Sequence, residues 1–228
     1  VFSVDGTVTD VIGIFPQGKM DVYEVVFSDG SKTECSADHL WTTRNNSQRH
    51  DGNVHPNSFF SRYKILETKE LMKPNRIKSQ YSIPLVSSIN FPYKEVKIDP
   101  YLLGVLLGDA CLRKRSIELT CNDDEILNAI NISLLNIDGR LRIKKTRHQH
   151  YQLSNEKRSS FQNTFGSNEL LNALRELNLT QKIANSKFIP ECYKINSPDV
   201  RLAILQGLMD TDGYVNSKGS CMYYTVSN

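Results

Sequence analysis

The spacing of apolar and polar residues changes character once along the chain. In TVTDVIGIF (7–15) and DVYEVVF (21–27), β-branched and aromatic residues partly alternate with polar ones, which predicts strands. Asp29-Gly30 then gives a strong hairpin signal, and KTECS returns as the partner strand. From Asn45 to Ser58 the chain is polar and reads as a loop. ETKELMK (67–73) predicts a short helix that stops before Pro74. YSIPLV (81–86) predicts a short strand, with Pro84 favouring an edge or a strand end.

Near Asp99 the period becomes helical. DPYLLGVLLGDA opens with Asp99 as N-cap and Pro100 at the first helical position. SIELTC (116–121) reads as a strand, and NDDEILNAINISLL (122–135) as a capped helix. RLRIKKTR (140–147) alternates and can pair with YQLS (151–154), and NELLNALRELNL (168–179) is amphipathic. SPDVRLAILQGLMDTDG (197–213) then repeats the order of cap, Pro, apolar helix, glycine and terminal Asp. SCMYYTVS (220–227) takes the place of SIELTC. A unit of roughly a hundred residues therefore starts twice, and its second copy is cut short.

The two apolar helices are the chemically informative part. Gly104 and Gly108 share one helical face, and Gly207 and Thr211 make the matching small-residue face. Small residues let two backbones approach closely. Packed in parallel through these faces, the helices bring Asp109 and Asp212 together at their C-terminal ends. That is unfavourable, because each helix end already carries partial negative charge and the carboxylates repel. A divalent cation relieves it: hard Mg²⁺ takes carboxylate and water oxygens and keeps positions open for phosphate. Paired carboxylates with Mg²⁺ suit phosphodiester hydrolysis. The plainer alternative ends each helix on an Asp at a solvated turn, and the matching offset in two helices weighs against it.

Composition narrows the setting. Hydrophobic content of 39% and charge of 23% fit a globular chain. No apolar run reaches the roughly 18 residues of a membrane span. Five cysteines with no CxxC pair argue for a reduced, cytoplasmic setting and against a zinc cluster. A net charge of +3 permits nucleic-acid binding without arguing for it. The case rests instead on RLRIKKTR. As a strand it turns Arg140, Arg142 and Lys144 to one face and Leu141 and Ile143 to the other. A basic β-ribbon fits the DNA major groove. Lys145, Arg147, His148 and Gln149 fall at the turn for phosphate contacts, and Arg113, Lys114 and Arg115 follow Asp109 closely. The alternative use of these charges is to protect an exposed strand edge.

GVLLGD and GLMDTDG resemble the two copies of the LAGLIDADG, or dodecapeptide, motif of homing endonucleases. The resemblance implies that Gly104 and Gly207 are helix-contact glycines and that Asp109 and Asp212 are metal-binding acids. It also makes Lys187, in KFIP (187–190), the basic residue near the cleavage centre. The first copy departs from the motif at Ala110 and Leu107. The front half, DVYEVVFSDGSKTECSADHLW, resembles splicing block B of inteins, with Ser36-Ala37-Asp38-His39 at the Thr-x-x-His position. There the resemblance implies that His39 assists the upstream acyl shift, with Ser36 as a hydroxyl donor, chemistry suited to an imidazole of near-neutral pKa. Trp41 reads as core.

The implied fold is α+β in two domains. A Hint-like, all-β splicing domain spans 1–95, and an αββαββα endonuclease domain with an incomplete second repeat spans 96–228. The implied function is an intein-encoded, site-specific double-strand DNA endonuclease using Mg²⁺ or another divalent cation. Its expected partners are double-stranded DNA and the host extein, with no membrane. A helicase, terminase or polymerase is the expected kind of host. The start at Val1, and Ser227 before Asn228 where His-Asn would stand, point to a fragment that does not splice itself. Two alternatives are a DNA-binding module without cleavage and a splicing element with a decayed nuclease.

Overall fold

The computed structural model describes residues 1–45, 63–74, 81–112, 116–155 and 168–227. Arg113, Lys114, Arg115, Asn228 and the polar stretch 46–58 lie outside them. The chain forms two compact units, Val1–Ile89 and Asn90–Asn228. The boundary falls before residue 95 because the segment entering the first apolar helix is held by the second unit, where the Asn196 side chain accepts from Lys94 N–H at 2.9 Å.

In the first unit, β1 (Val22–Val26) and β2 (Lys32–Ser36) form an antiparallel hairpin. Gly30 supplies a φ of +85°, and the Asp29 carboxylate accepts from the Ser31 N–H at 2.9 Å and its hydroxyl at 2.7 Å. A second sheet places β3 (Leu40–Asn45) between β4 (Lys64–Glu67) and β5 (Tyr81–Ser82), all antiparallel. One helical turn, α1 (Thr68–Leu71), follows β4 directly. Its Thr68 is buried, and the hydroxyl accepts from Trp41 Nε1 at 2.9 Å and lies 3.3 Å from Cys35 Sγ.

Two strand expectations fail here. Residues 9–20 form no strand; the only bridge nearby joins Phe2 to Val8. Ile12 is 96% exposed and Ile14 87%, so alternation there meets no neighbour among the described residues to bury it. In 81–86 only Tyr81 and Ser82 pair, opposite Asn45 and Arg44, and Pro84 beyond them has no N–H to donate.

The second unit runs α2 (Pro100–Asp109), β6 (Ala110–Cys111), β7 (Ile117–Thr120), α3 (Asp124–Ile137), β8 (Leu141–Arg147), β9 (His150–Asn155), α4 (Glu169–Glu176), α5 (Glu191–Lys194), α6 (Pro198–Asp212), β10 (Gly213–Val215) and β11 (Cys221–Tyr223). Its first half reads α-ββ-α-ββ-α, and α6 with the β10–β11 hairpin repeats the opening α-ββ. Strands β6, β7, β9 and β8 make one antiparallel sheet in that order. Because side chains alternate, Ile117, Leu119, Leu141 and Leu153 face the helices and are at most 2% exposed. They pack with Leu102, Leu103, Leu106, Ile130, Leu134, Leu170 and Leu174 in one core. Caps agree with the sequence: Asp99 accepts from Leu102 N–H, Asp123 from Glu125 and Ile126, and Asn168 from Leu171.

Candidate functional site

Helices α2 and α6 lie side by side in parallel, with Gly104 against Gly207 and Gly108 against Thr211. A Cβ on Gly104 would stand 3.0 Å from Gly207 Cα and would run into the Ile204 carbonyl oxygen. A Cβ on Gly207 would run into the Tyr101 carbonyl oxygen and stand 2.8 Å from Val105 N. Backbone meets backbone here, and no side-chain movement can make room. The Thr211 hydroxyl donates back into its own helix, to Leu208 O at 2.9 Å, and that oxygen and the Thr211 Cβ pack directly against Gly108.

The acids stand at the ends of these helices. Asp109 is the last residue of α2 and Asp212 the last of α6. Asp212 Oδ2 would lie 3.4 Å from a Cβ on Gly108, next door to Asp109. Burial pushes the Asp109 carboxyl up, the Asp212 charge pushes it the same way, and Lys187 opposes both. The cavity beside them, about 850 Å³, is lined by Leu107, Gly108, Lys187, Phe188, Asp212 and Tyr223.

Lys187 is only 8% exposed, and its ammonium lies within reach of four backbone carbonyls: Ala110 at 2.7 Å, Leu107 at 2.8 Å, Gly108 at 3.1 Å and Leu106 at 3.2 Å. These are the carbonyls that the end of an α-helix leaves without donors. Three N–H groups serve four acceptors, so the ammonium caps α2 and sets a positive charge against its negative end. Burial lowers the Lys187 pKa, and the Asp212 and Asp109 charges oppose that.

A raised Asp109 pKa has a signed consequence. The folded chain binds a proton that the unfolded chain releases, so Asp109's contribution to stability is complete below the ordinary carboxylate pKa. It is lost as pH rises through the raised value. Urea melts of the metal-free chain between about pH 4 and 8 are expected to show this decline, and Asp109→Asn to remove it. A cation that needs the ionised carboxylate would bind more weakly as pH falls through the same window.

Two residues beside the acids escaped the sequence reading. Tyr101 donates to Asp210 Oδ2 at 2.8 Å across the helix pair, an exposed bond with no visible sequence signature. Tyr223 lines the cavity, and burial and Asp212 raise its pKa.

The proposed ribbon has a polar outer face. Register puts Arg142 opposite Ser154 and Lys144 opposite Gln152, on the side away from Leu141, Ile143 and Leu153. Arg140 departs from expectation: it precedes β8, and its guanidinium pairs with Asp138 at 2.6 Å in the preceding turn. Lys145 is also misplaced by the sequence reading. It lies within β8, 5.9 Å from the centre of the Tyr151 ring, because the hairpin turn is only His148-Gln149. Gln149 holds a φ of +59° there, a left-handed backbone more costly for glutamine than for glycine. Arg147 is exposed opposite His150 after a register shift in β8.

In the first unit, Ser36 and His39 bracket the turn between β2 and β3, and His39 N–H donates to Ser36 O at 3.2 Å. The exposed imidazole meets the Trp41 ring edge-on at 4.7 Å. The Asp38 carboxylate, next to it in sequence, pairs with Lys69 at 2.6 Å.

No family model matches the chain. It is 25% identical over 218 residues to the replicative DNA helicase DnaB of Mycobacterium intracellulare, which covers 90% of this chain and 31% of that protein. It is 31% identical over 144 residues to the probable translation initiation factor IF-2 of Methanocaldococcus jannaschii, which covers 61% of this chain and 11% of that protein. The chain thus spans under a third of either relative. Among the described residues no helix is long and apolar enough to cross a membrane.

Proposed function

We propose that this chain is part of an intein: a Hint-like splicing domain followed by a LAGLIDADG endonuclease that cuts double-stranded DNA at an intein-free site of its host gene. The observation that carries the reading is the parallel helix pair, joined glycine to glycine and ending on two adjacent acids beside a buried lysine. The comparisons support it from another side. One chain resembles limited stretches of two unrelated proteins, a helicase and an initiation factor, which fits an element inserted into different hosts. A reducing, cytoplasmic setting goes with this reading, and the five cysteines are unpaired.

The residues fit a hard divalent cation. Two carboxylates crowd at helix ends where Asp109 is driven toward its neutral form, and a cation would favour its ionised form. Among the described residues no third Asp, Glu, His or Cys joins them. That suits Mg²⁺, which takes one or two protein carboxylates and fills its octahedron with water and phosphate oxygens. Asp109 and Asp212 would hold it, and it would supply Lewis-acid stabilisation of the phosphoryl oxygens and a more acidic water. Lys187 contributes a fixed positive charge near the cleaved phosphate. Arg142, Lys144 and Arg147 track the duplex backbone.

Cleavage of a plasmid carrying the intein-free host site tests the proposal. Asp109→Asn is expected to lower cutting by about a thousand-fold or more while DNA affinity stays near wild type. Cutting at the wild-type rate by that variant would remove the assignment. One observation favours the second reading, a DNA-binding module that does not cut: every N–H of Lys187 is engaged by backbone, leaving none for proton transfer. Binding without cutting by the wild-type chain in Mg²⁺ and Mn²⁺ would select it.

A further inference from the structure

The two helices are also tied at the end away from the acids. Asn196 is fully buried, one residue before the Ser197 N-cap of α6. Its side-chain amide binds the Lys94 backbone in both directions: Lys94 N–H donates to Oδ1 at 2.9 Å, and Nδ2 donates to Lys94 O at 2.9 Å. The remaining amide capacity is also used, with Nδ2 donating to Cys192 O at 2.9 Å and Oδ1 accepting from Ser197 N–H at 2.8 Å. Tyr193 is 1% exposed and repeats the device one turn closer to α2. Its hydroxyl donates to Ile98 O at 2.9 Å and accepts from Ile98 N–H at 3.2 Å.

Lys94 and Ile98 belong to the segment that enters α2 at the Asp99 cap. The stretch 193–197 enters α6. Four hydrogen bonds therefore join the two helix starts across about a hundred residues of sequence. Every one of them fixes a backbone group, so none can be kept by side-chain adjustment if one start slides past the other.

We propose that Tyr193 and Asn196 are positioning residues that set the axial register of α2 against α6, and through it the separation of Asp109 and Asp212. The helix is a stiff rod that carries the register from one end to the other. From Pro100 to Asp109 it runs about 14 Å at 1.5 Å per residue, and a one-residue slip at the start would displace the acid by the full 1.5 Å. Metal coordination tolerates only about 0.2 Å. The glycine contact sets how closely the two helices approach at Gly104 and Gly207, and the hydrogen bonds at the helix starts hold that alignment at the far end. The Tyr193 and Asn196 bonds supply the directional stop.

The metal consequence rests on the nuclease reading; the register does not. Tyr193→Phe keeps the ring and removes both Ile98 bonds, and Asn196→Ala removes the Lys94 pair together with the Cys192 and Ser197 bonds. Ile130→Val, a core change in α3 that touches no hydrogen bond, serves as the destabilising control. Two readouts are used on the full chain. In NMR, the Hα contacts between Gly104 and Gly207 report register directly. In DNA cleavage, the Mg²⁺ concentration for half-maximal rate is expected to rise about ten-fold in both variants and to stay within two-fold in the control. The Gly104–Gly207 contact is expected to weaken or move in both variants and to persist in the control. An unchanged Gly104–Gly207 contact in both variants overturns the proposal. So does a Mg²⁺ requirement that rises equally in the control. A wild-type chain that neither cuts DNA nor binds Mg²⁺ removes the nuclease reading, and the NMR contact then decides the register alone.

Discussion

Gly207→Val is expected to destabilise the second unit by about 3 kcal/mol or more. The added isopropyl group would occupy the Tyr101 carbonyl and crowd Val105 N and Gly104 Cα, all backbone of the facing helix. Overpacking in a core that can relax costs about 1–3 kcal/mol, and a clash of backbone against backbone falls at or above the top of that range. Domains of this size have about 5–15 kcal/mol in total. Far-UV circular dichroism and a urea melt check the loss. Gly139→Ala is the control: nothing lies within 4 Å of its Cβ position and its φ is not left-handed, so the change is expected to be neutral or slightly stabilising. A valine variant as stable as wild type would mean that the helices do not meet through this face.

The second large effect is expected from Lys187→Met. Methionine fills similar space and removes the charge. The carbonyls of Leu106, Leu107, Gly108 and Ala110 then lose their shared donor inside a buried site. Hydrogen bonds to a charged group contribute about 1.5–3 kcal/mol each, and unmade buried acceptors cost a similar amount, so a loss of at least about 3 kcal/mol is expected. The same change removes the Lys187 charge, which holds the Asp109 pKa down, so that carboxyl is expected to move further up. Cation binding should then weaken most at low pH. Lys187→Arg is expected to restore only part of the stability, because a planar guanidinium cannot converge on four carbonyls around one point. Urea melts combined with calorimetric titration of Mg²⁺ separate the two losses. Full stability in the methionine variant would show that the ammonium is not needed as a helix cap.

Much of the second unit was legible in the sequence because its signals are local. Asp99-Pro100 and Ser197-Pro198 mark helix starts by chemistry that acts within one turn. The β8–β9 pairing follows from alternation that one buried face enforces. The paired glycines were readable because only a close helix contact makes use of them. Where alternation found nothing to pack against, as in residues 9–20, the same kind of signal misled. Arg140 and Lys145 were misplaced because a two-residue turn and a nearby Asp138 decide their surroundings, and neither changes the periodicity of RLRIKKTR.

By itself the sequence determined where the longer helices begin, which positions are apolar, and that two similar helices each close on an acid, while the short α5 (Glu191–Lys194) had no such signal. Those are consequences of backbone chemistry within a few residues. Only the tertiary structure decided that Lys187 serves as the cap of α2 rather than as a free base, that Tyr101 reaches Asp210, and that Tyr193 and Asn196 bind the start of the opposite helix. Each of these contacts joins residues about eighty to a hundred positions apart. No local propensity encodes them, because they form only once burial has brought distant backbone groups together and those groups must find a partner.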